Sequence, residues 1–279
     1  MQLAATRIGP RWFHWGQRTY VMGIINVTPD SFSGDGVGDD PNAAVARAEA
    51  MVAAGADLID VGGESTRPGA TPVDVETELA RVLPVVQRLV EQLPVPISVD
   101  TTKPAVAAAA LAAGATILND IHGLRAHPEM ARLAARHEAA VVVMANMRGY
   151  PHDDIMTAVL DQLRQSIAIA DRAGIPPERV IVDPGFGFGT TPVENLTMVR
   201  SLHQLKCLGR PILIGPSRKS TIGLVLDLPV HERVEGTAAT ITIAIDRGAD
   251  VVRVHDVPVM VRVARMADAI TRGWTPPGE

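Results

Sequence analysis

Cysteine is almost missing from this sequence. Cys207 stands alone, so no internal disulfide can form and zinc sites of Cys-x-x-Cys spacing are excluded. Aromatic residues are nearly as scarce, 3% of 279, which leaves Ala, Val, Ile and Leu to build the core. No stretch of about 18 uninterrupted apolar residues occurs, so no membrane span is expected. An excess of positive charge is also absent: a formal net charge of -5 and a pI near 5.9 remove the usual footprint of a nucleic-acid binder. The opening "MQLAATRIGPRWFHWGQR" lacks the basic and apolar regions of a secretory signal, and with a single cysteine the expected compartment is a reducing cytoplasm. G-x-S-x-G and H-E-x-x-H are missing too, and with them the usual signals of serine hydrolases and zincins.

What is present is an alternation. Eight short apolar runs, at 20–26, 57–63, 95–100, 115–120, 139–146, 179–185, 211–215 and 250–256, are separated by Ala-rich segments of helical period. Runs this continuously apolar are strands buried on both faces, which points to a parallel sheet covered by helices. In the segment after the first strand, Pro41 suits a first turn while Val45, Ala48, Met51 and Val52 share one face. Helices are expected over 74–93, 104–113, 127–137, 153–173, 193–206, 231–247 and 256–272 as well. "AAGAD" (53–57), "AAGAT" (112–116), "DRAG" (171–174) and "DRGAD" (246–250) each set a glycine where a helix must stop. Eight βα units in about 250 residues fit the α/β class and a single (β/α)8 TIM barrel. A doubly wound open sheet is the alternative, but "GIINVTPD" lacks its glycine-rich first turn. Residues 1–19, with Trp12, Phe13 and Trp15 among glycines, are expected to form a hairpin that plugs the barrel bottom, leaving 20–279 as the barrel.

Polar residues collect at one end of these strands. Asn26, Asp60, Asp100, Asn119 with Asp120, and Asp183 end apolar runs; Ser217, Arg218 and Lys219 follow the seventh, and the eighth carries Arg253, His255 and Asp256. This is the barrel face on which active sites are built. A ring of acids repels itself unless something cationic or rich in donors sits among them. Asp100, Asn119 and Asp183 are suited to a flat heterocycle with adjacent N–H and NH2 donors, bound by charge-assisted bonds of roughly 1.5 to 3 kcal/mol each. Neutralisation of the acids by Lys219 and Arg253 is compatible with the same site. "GGESTRPGA" (62–70), "GPSRKS" (215–220) and "RVHD" (253–256) add cations and helix starts that favour phosphate or carboxylate. "GPSRKS" is no P-loop, because Arg218 stands where a glycine must precede the lysine. Gly185, Gly187 and Gly189 lack dinucleotide spacing and are expected to let the backbone approach a ligand, with Phe186 or Phe188 packing on it.

Seven ordered motifs from about residue 20 onward, "MGIINVTPDSFS", "DVGGESTRPGA", "SVDT", "ND", "VDPGFGFG", "GPSRKS" and "RVHD", closely resemble the dihydropteroate synthases of bacterial folate synthesis. The resemblance implies a (β/α)8 barrel that joins 6-hydroxymethyl-7,8-dihydropterin diphosphate to 4-aminobenzoate and releases diphosphate. It implies that Asp100, Asn119, Asp183 and Lys219 hold the pterin, that Asn26 ligates Mg2+, and that Thr66, Arg67, Arg253 and His255 hold the diphosphate. Ser217, the helix start after it, Phe186 and the loop at 64–69 would receive aminobenzoate. Asp100, Asp183, Lys219 and Arg253 are the expected catalytic set, and a homodimer is expected. Three departures stand out: Asp35 is displaced by one place in "SGDGVG", Thr190 replaces a common lysine, and Ala145-Asn146 replaces a more usual Met-His pair. A pterin-binding methyltransferase and a pterin-binding homologue without catalysis are the alternatives; "STRPG", "SRK" and "RVHD" argue against the first, whose substrate carries no diphosphate.

Overall fold

A computed structural model describes residues 3–28, 40–65 and 70–276. A two-stranded antiparallel hairpin, β1 (Thr6–Ile8) and β2 (Arg11–Phe13), precedes eight parallel strands. These are β3 (Tyr20–Asn26), β4 (Leu58–Gly62), β5 (Ile97–Asp100), β6 (Ile117–Asp120), β7 (Ala140–Met144), β8 (Val180–Asp183), β9 (Leu213–Ile214) and β10 (Val251–Val254). They pair in chain order from β3 to β8, and β10 lies between β3 and β9. The ring closes where Val182 bridges Ile212 and its N–H donates to the Pro211 carbonyl at 2.9 Å. Each of the eight apolar runs is one stave of a (β/α)8 barrel.

Helices α1 (Pro41–Ala53), α2 (Val75–Gln92), α3 (Pro104–Ala112), α4 (Pro128–Arg136), α5 (Ile155–Arg172), α6 (Pro192–Arg200), α7 (Ser220–Leu226), α8 (Val234–Asp246) and α9 (Val257–Arg272) wrap the barrel. Local chemistry starts and stops them. Asp74 and Asp154 cap α2 and α5 through the Thr77 and Thr157 N–H groups, and Thr191 with Glu194 makes a capping box on α6. Gly55, Gly114, Gly174 and Gly248 all follow helix ends with positive φ, the left-handed turn that glycine adopts without strain. Two helical expectations change. The segment 193–206 breaks at Arg200, and Leu202–Leu208 continues as a 3-10 stretch because Leu202 and Leu205, three apart, both turn into the core. The short α7 is an element of its own, ended by Asp227 at φ 55 and by Pro229.

Alternation along the staves divides the apolar interior in two. Val21, Ile25, Ile59, Val61, Ile97, Val99, Val141 and Val143 face outward onto the helices. Tyr20, Met22, Leu58, Ile117, Val142, Ile181, Leu213 and Val251 fill the lower barrel, where Phe13 and Trp15 of the N-terminal segment join them. Phe13 stacks on Trp15 and meets Tyr20 at 4.7 Å between ring centroids, and the Trp15 indole N–H donates to Thr6 Oγ1 at 2.8 Å. Trp12 points outward and is exposed. With its lower end packed by aromatics, the barrel offers its polar layers at the C-terminal mouth.

Candidate active site

Register sets the floor of that mouth. Asn26 lies opposite Gly62, Gly62 opposite Asp100, and Asp100 opposite Asn119, so residues from four strands come to one level. Asp60, two residues below Gly62 on the same face, is fully buried. Its Oδ2 accepts from Arg253 Nε at 2.7 Å and from Asn119 Nδ2 at 3.0 Å, while Arg253 Nη2 donates to Asp100 Oδ2 at 2.9 Å. One guanidinium therefore joins two acids that would otherwise repel each other. Asp60 Oδ1 and Asp100 Oδ1 are buried without a hydrogen-bond partner.

Across the mouth, Asp183 ends β8 and is buried, with Oδ1 accepting from the Gly185 N–H at 2.7 Å. Lys219 reaches in from the segment after β9. Its ammonium donates to the Phe186 carbonyl and stands 4.5 Å from the centroid of the Phe188 ring. Phe186 is only 1% exposed and its ring belongs to the core; the half-buried ring at the mouth is that of Phe188, with the Arg148 guanidinium 5.0 Å from its centroid. The glycines have another reason than ligand approach. A Cβ at Gly185 would lie 1.8 Å from the Ala145 carbonyl oxygen, and one at Gly189 would lie 2.3 Å from the Arg148 nitrogen, so both clear the neighbouring loop after β7. Only Gly187 faces a site residue, 3.0 Å from Lys219 Cδ by the same construction. Thr190 braces this loop by bonding Asn195 Oδ1 at 2.8 Å, and Asn146 is held by Gln162 of α5.

The third side is the Ser217–His255 pair. Ser217 is buried, and its Oγ accepts from the His255 N–H at 3.2 Å and lies 3.0 Å from the imidazole Nδ1. Arg218, at φ 57, turns away from this pair and grips Asp256 with Nε at 2.8 Å from Oδ2.

Burial controls the charges. It pushes the Asp100 carboxyl up to about 7, against Arg253 and with help from Asp60, Glu78 and Asp120. Asp183 is raised by burial too, opposed by Lys219, the Gly185 N–H and Arg253. Burial draws the Lys219 ammonium down to about 8 against the pull of Asp183. His255 falls to about 3, through burial first and then through Arg253 and Arg218, so it presents a neutral imidazole rather than a cation. The site thus holds one acid and one amine poised within reach of neutral pH, beside a second acid that burial raises, and such perturbed groups are common where chemistry is done.

The structure brings Asp100, Asn119 and Arg253 into direct contact through Asp60, sets Lys219 beside Phe186 and Phe188, and pairs Ser217 with His255. Asn26 sits at the rim on the last position of β3, partly exposed. Thr66, Arg67 and Asp35 lie outside the described residues. Asp60 is the residue the sequence pattern left without a role. Its signal was present, a carboxylate ending the apolar "DLID", but its partner Arg253 is 193 residues away.

Fold and site together define a class: a (β/α)8 barrel whose lower end is packed by aromatics and whose C-terminal mouth holds a buried, charge-paired cluster of side chains, the arrangement of an enzyme for a small molecule. Residues 22–255 match the sequence profile described as "Pterin binding enzyme", and the chain belongs to that family. A dihydropteroate synthase of Synechocystis sp. is 46% identical over 274 residues, 95% of this chain and 94% of the relative. Among solved structures, dihydropteroate synthase of Xanthomonas albilineans with 4-aminobenzoic acid is 44% identical and matches 96% of this chain and 98% of its own with a TM-score of 0.89. The Yersinia pestis dihydropteroate synthase in a sulfonamide drug complex is 37% identical, with a TM-score of 0.91 over 97% of this chain and 100% of its own.

Proposed function

We propose that this chain is a dihydropteroate synthase, a transferase that joins 6-hydroxymethyl-7,8-dihydropterin diphosphate to 4-aminobenzoate and releases diphosphate. The observation that carries this is a pair of carboxylates, the buried Asp183 and the mostly buried Asp100, on staves that share one mouth with Asn119, Lys219 and Arg253. Asp100 Oδ1 and the second oxygen of Asp183 are acceptors for the N–H and NH2 donors of a pterin edge, and Asn119 adds an amide. Ionised acids under the ring favour positive charge on it. Cleavage of the bond from the methylene carbon to the diphosphate oxygen then leaves a cation spread over the pterin, in an SN1-like step. The neutral aniline nitrogen of aminobenzoate attacks that carbon and sheds a proton, and no strong base is required because the amine is already unprotonated near pH 7.

Thr66, Arg67, Arg253 and His255 are assigned to the departing diphosphate. Arg253 does so with two carboxylates already on it, and His255 as a neutral hydrogen-bonding group whose proton affinity rises when an anion arrives. Ser217 and the loop at 64–69 are assigned to aminobenzoate, with the half-buried Phe188 ring, in place of the core-packed Phe186, as the stacking surface. A bound Mg2+ would neutralise the leaving group. Asn26, the last residue of β3, offers the hard amide oxygen that would hold Mg2+.

The reading extends to a homodimer through α6, α7 and α8, where Val193, Leu196, Leu224, Val225 and Ile243 stand exposed. A cytoplasmic location accords with the lone cysteine and with the finding that no described helix is long and apolar enough to cross a membrane. A diphosphate-release assay with both substrates tests the activity. Release that depends on aminobenzoate is expected, and none at any Mg2+ concentration would reject the synthase in favour of a pterin-binding protein of other activity.

A further inference from the structure

We infer that Arg125, His122 and Tyr150 form a second ligand site, separate from the groups assigned to the departing diphosphate, and that it takes a phosphate group, as the free ion or as a small phosphate monoester.

The chain after β6 is turned by its own acid. Asp120 accepts the His122 N–H at 2.9 Å through Oδ1 and the Leu124 N–H at 2.8 Å through Oδ2. Gly123 and Leu124 take φ 58 and 66, and the fully buried Leu124 side chain anchors the turn. Arg125 is thereby sent toward α5, where Nη1 donates to Ser166 Oγ and Nη2 to Gln162 Oε1, both at 2.6 Å. A Cβ at Gly123 would lie 2.7 Å from that Nη1, so the glycine makes the room in which the guanidinium lies. Gln162 also accepts the Asn146 N–H at 2.9 Å, which ties the loop after β7 to the same scaffold.

What this scaffold holds is a cation without an acid in contact. Among the described residues, every hydrogen bond of Arg125 ends on a neutral oxygen, and none uses Nε. Asp120 supports the charge only through space, and burial draws the guanidinium below its ordinary proton affinity. Beside it opens a cavity of about 360 Å3, at the small end of the range for ligand pockets. No carboxylate lines this cavity. His122, Tyr150, Arg148 and Gln165 do, and neither the His122 ring nor the Tyr150 hydroxyl has a hydrogen-bond partner among the described residues. Arg253 and His255 line no part of it.

A small cavity with cations and no acid selects an anion. Its polar groups come from the turn after β6, the loop after β7 and α5. A tetrahedral oxyanion, with oxygens in several directions, meets more of them than a flat carboxylate can.

The test reads Arg125 directly. In the whole protein labelled with nitrogen-15 arginine, the assigned Nε–H resonance of Arg125 is followed as inorganic phosphate is added at constant ionic strength. The expected result is a saturating shift in the low millimolar range. Gln165→Glu, which sets a carboxylate at the exposed rim, should weaken it at least about fivefold, and Tyr150→Phe, which removes one exposed hydroxyl, should weaken it as well. Both side chains are exposed, so both variants are expected to fold. A resonance that does not move, a shift that never saturates, one unchanged in Gln165→Glu, or one that acetate reproduces equally would overturn the site and leave Arg125 as a structural tie between the turn and α5. Glycerol 3-phosphate separates the two sources: saturation tighter than that of the free ion supports the site with a monoester as its ligand, and weaker saturation supports it with the free ion.

Discussion

Arg253 and Asp60, at opposite ends of the sequence, are 2.7 Å apart, and the same guanidinium reaches Asp100 at 2.9 Å. Arg253 is therefore a structural cation, whatever part it takes in the proposed binding of diphosphate. Arg253→Ala leaves two buried carboxylates facing each other, and urea unfolding near pH 8 is expected to show a loss of about 3–5 kcal/mol. Because Asp100 loses its partner, bare pterin and pterin diphosphate are both expected to bind more weakly, the ester more so. Unchanged stability would mean that the floor is not held as described.

Asp183 offers a cleaner change. Its Oδ1 accepts from the Gly185 N–H, which an asparagine oxygen replaces, so Asp183→Asn is expected to fold normally. Losing the charge weakens pterin binding by roughly 1 to 3 kcal/mol. Equal affinities by calorimetry would remove Asp183 from the pterin pocket.

The pH dependence follows from two groups. Burial raises Asp100 to about 7, so on lowering the pH below that value it takes up a proton and loses its charge, and kcat/KM for the pterin substrate falls. Burial lowers Lys219 to about 8, so on raising the pH above that value its charge disappears and kcat/KM falls again. A narrow bell between these limits is expected, and Lys219→Arg should carry the alkaline limb upward because a guanidinium does not titrate there. A flat profile across the range would contradict both assignments.

Phe13 separates fold from chemistry. It is 1% exposed and packs on Trp15 and Tyr20 at the end of the barrel opposite the site. Phe13→Ala is expected to cost about 3–5 kcal/mol in urea unfolding, with turnover per folded molecule unchanged.

Leu224 and Val225 test assembly. Both are more than half exposed on α7, next to α8. If the proposed homodimer holds, the parent sediments as a dimer in analytical ultracentrifugation and Leu224→Glu with Val225→Glu yields monomers; a parent that sediments as a monomer would overturn the assembly.

The sequence by itself determined the staves, most of the helices between them and the face that carries the polar residues; it missed α7 and the break after Arg200. The reason is local: β-branched runs buried on both sides make parallel strands, glycine follows the ends of α1, α3, α5 and α8, and parallel strands all end on one side. Asp100, Asn119 and Asp183 were legible because each closes such a run. Tertiary structure decided the pairings. Asp60 meets Arg253 only because β10 closes beside β3, a neighbour relation that no local pattern encodes. The same holds for Phe188 rather than Phe186 at the mouth, for glycines that make way for the loop after β7, and for a histidine kept neutral by burial and the cations around it. Each depends on distances between chain segments far apart in sequence, and barrel closure alone sets those distances.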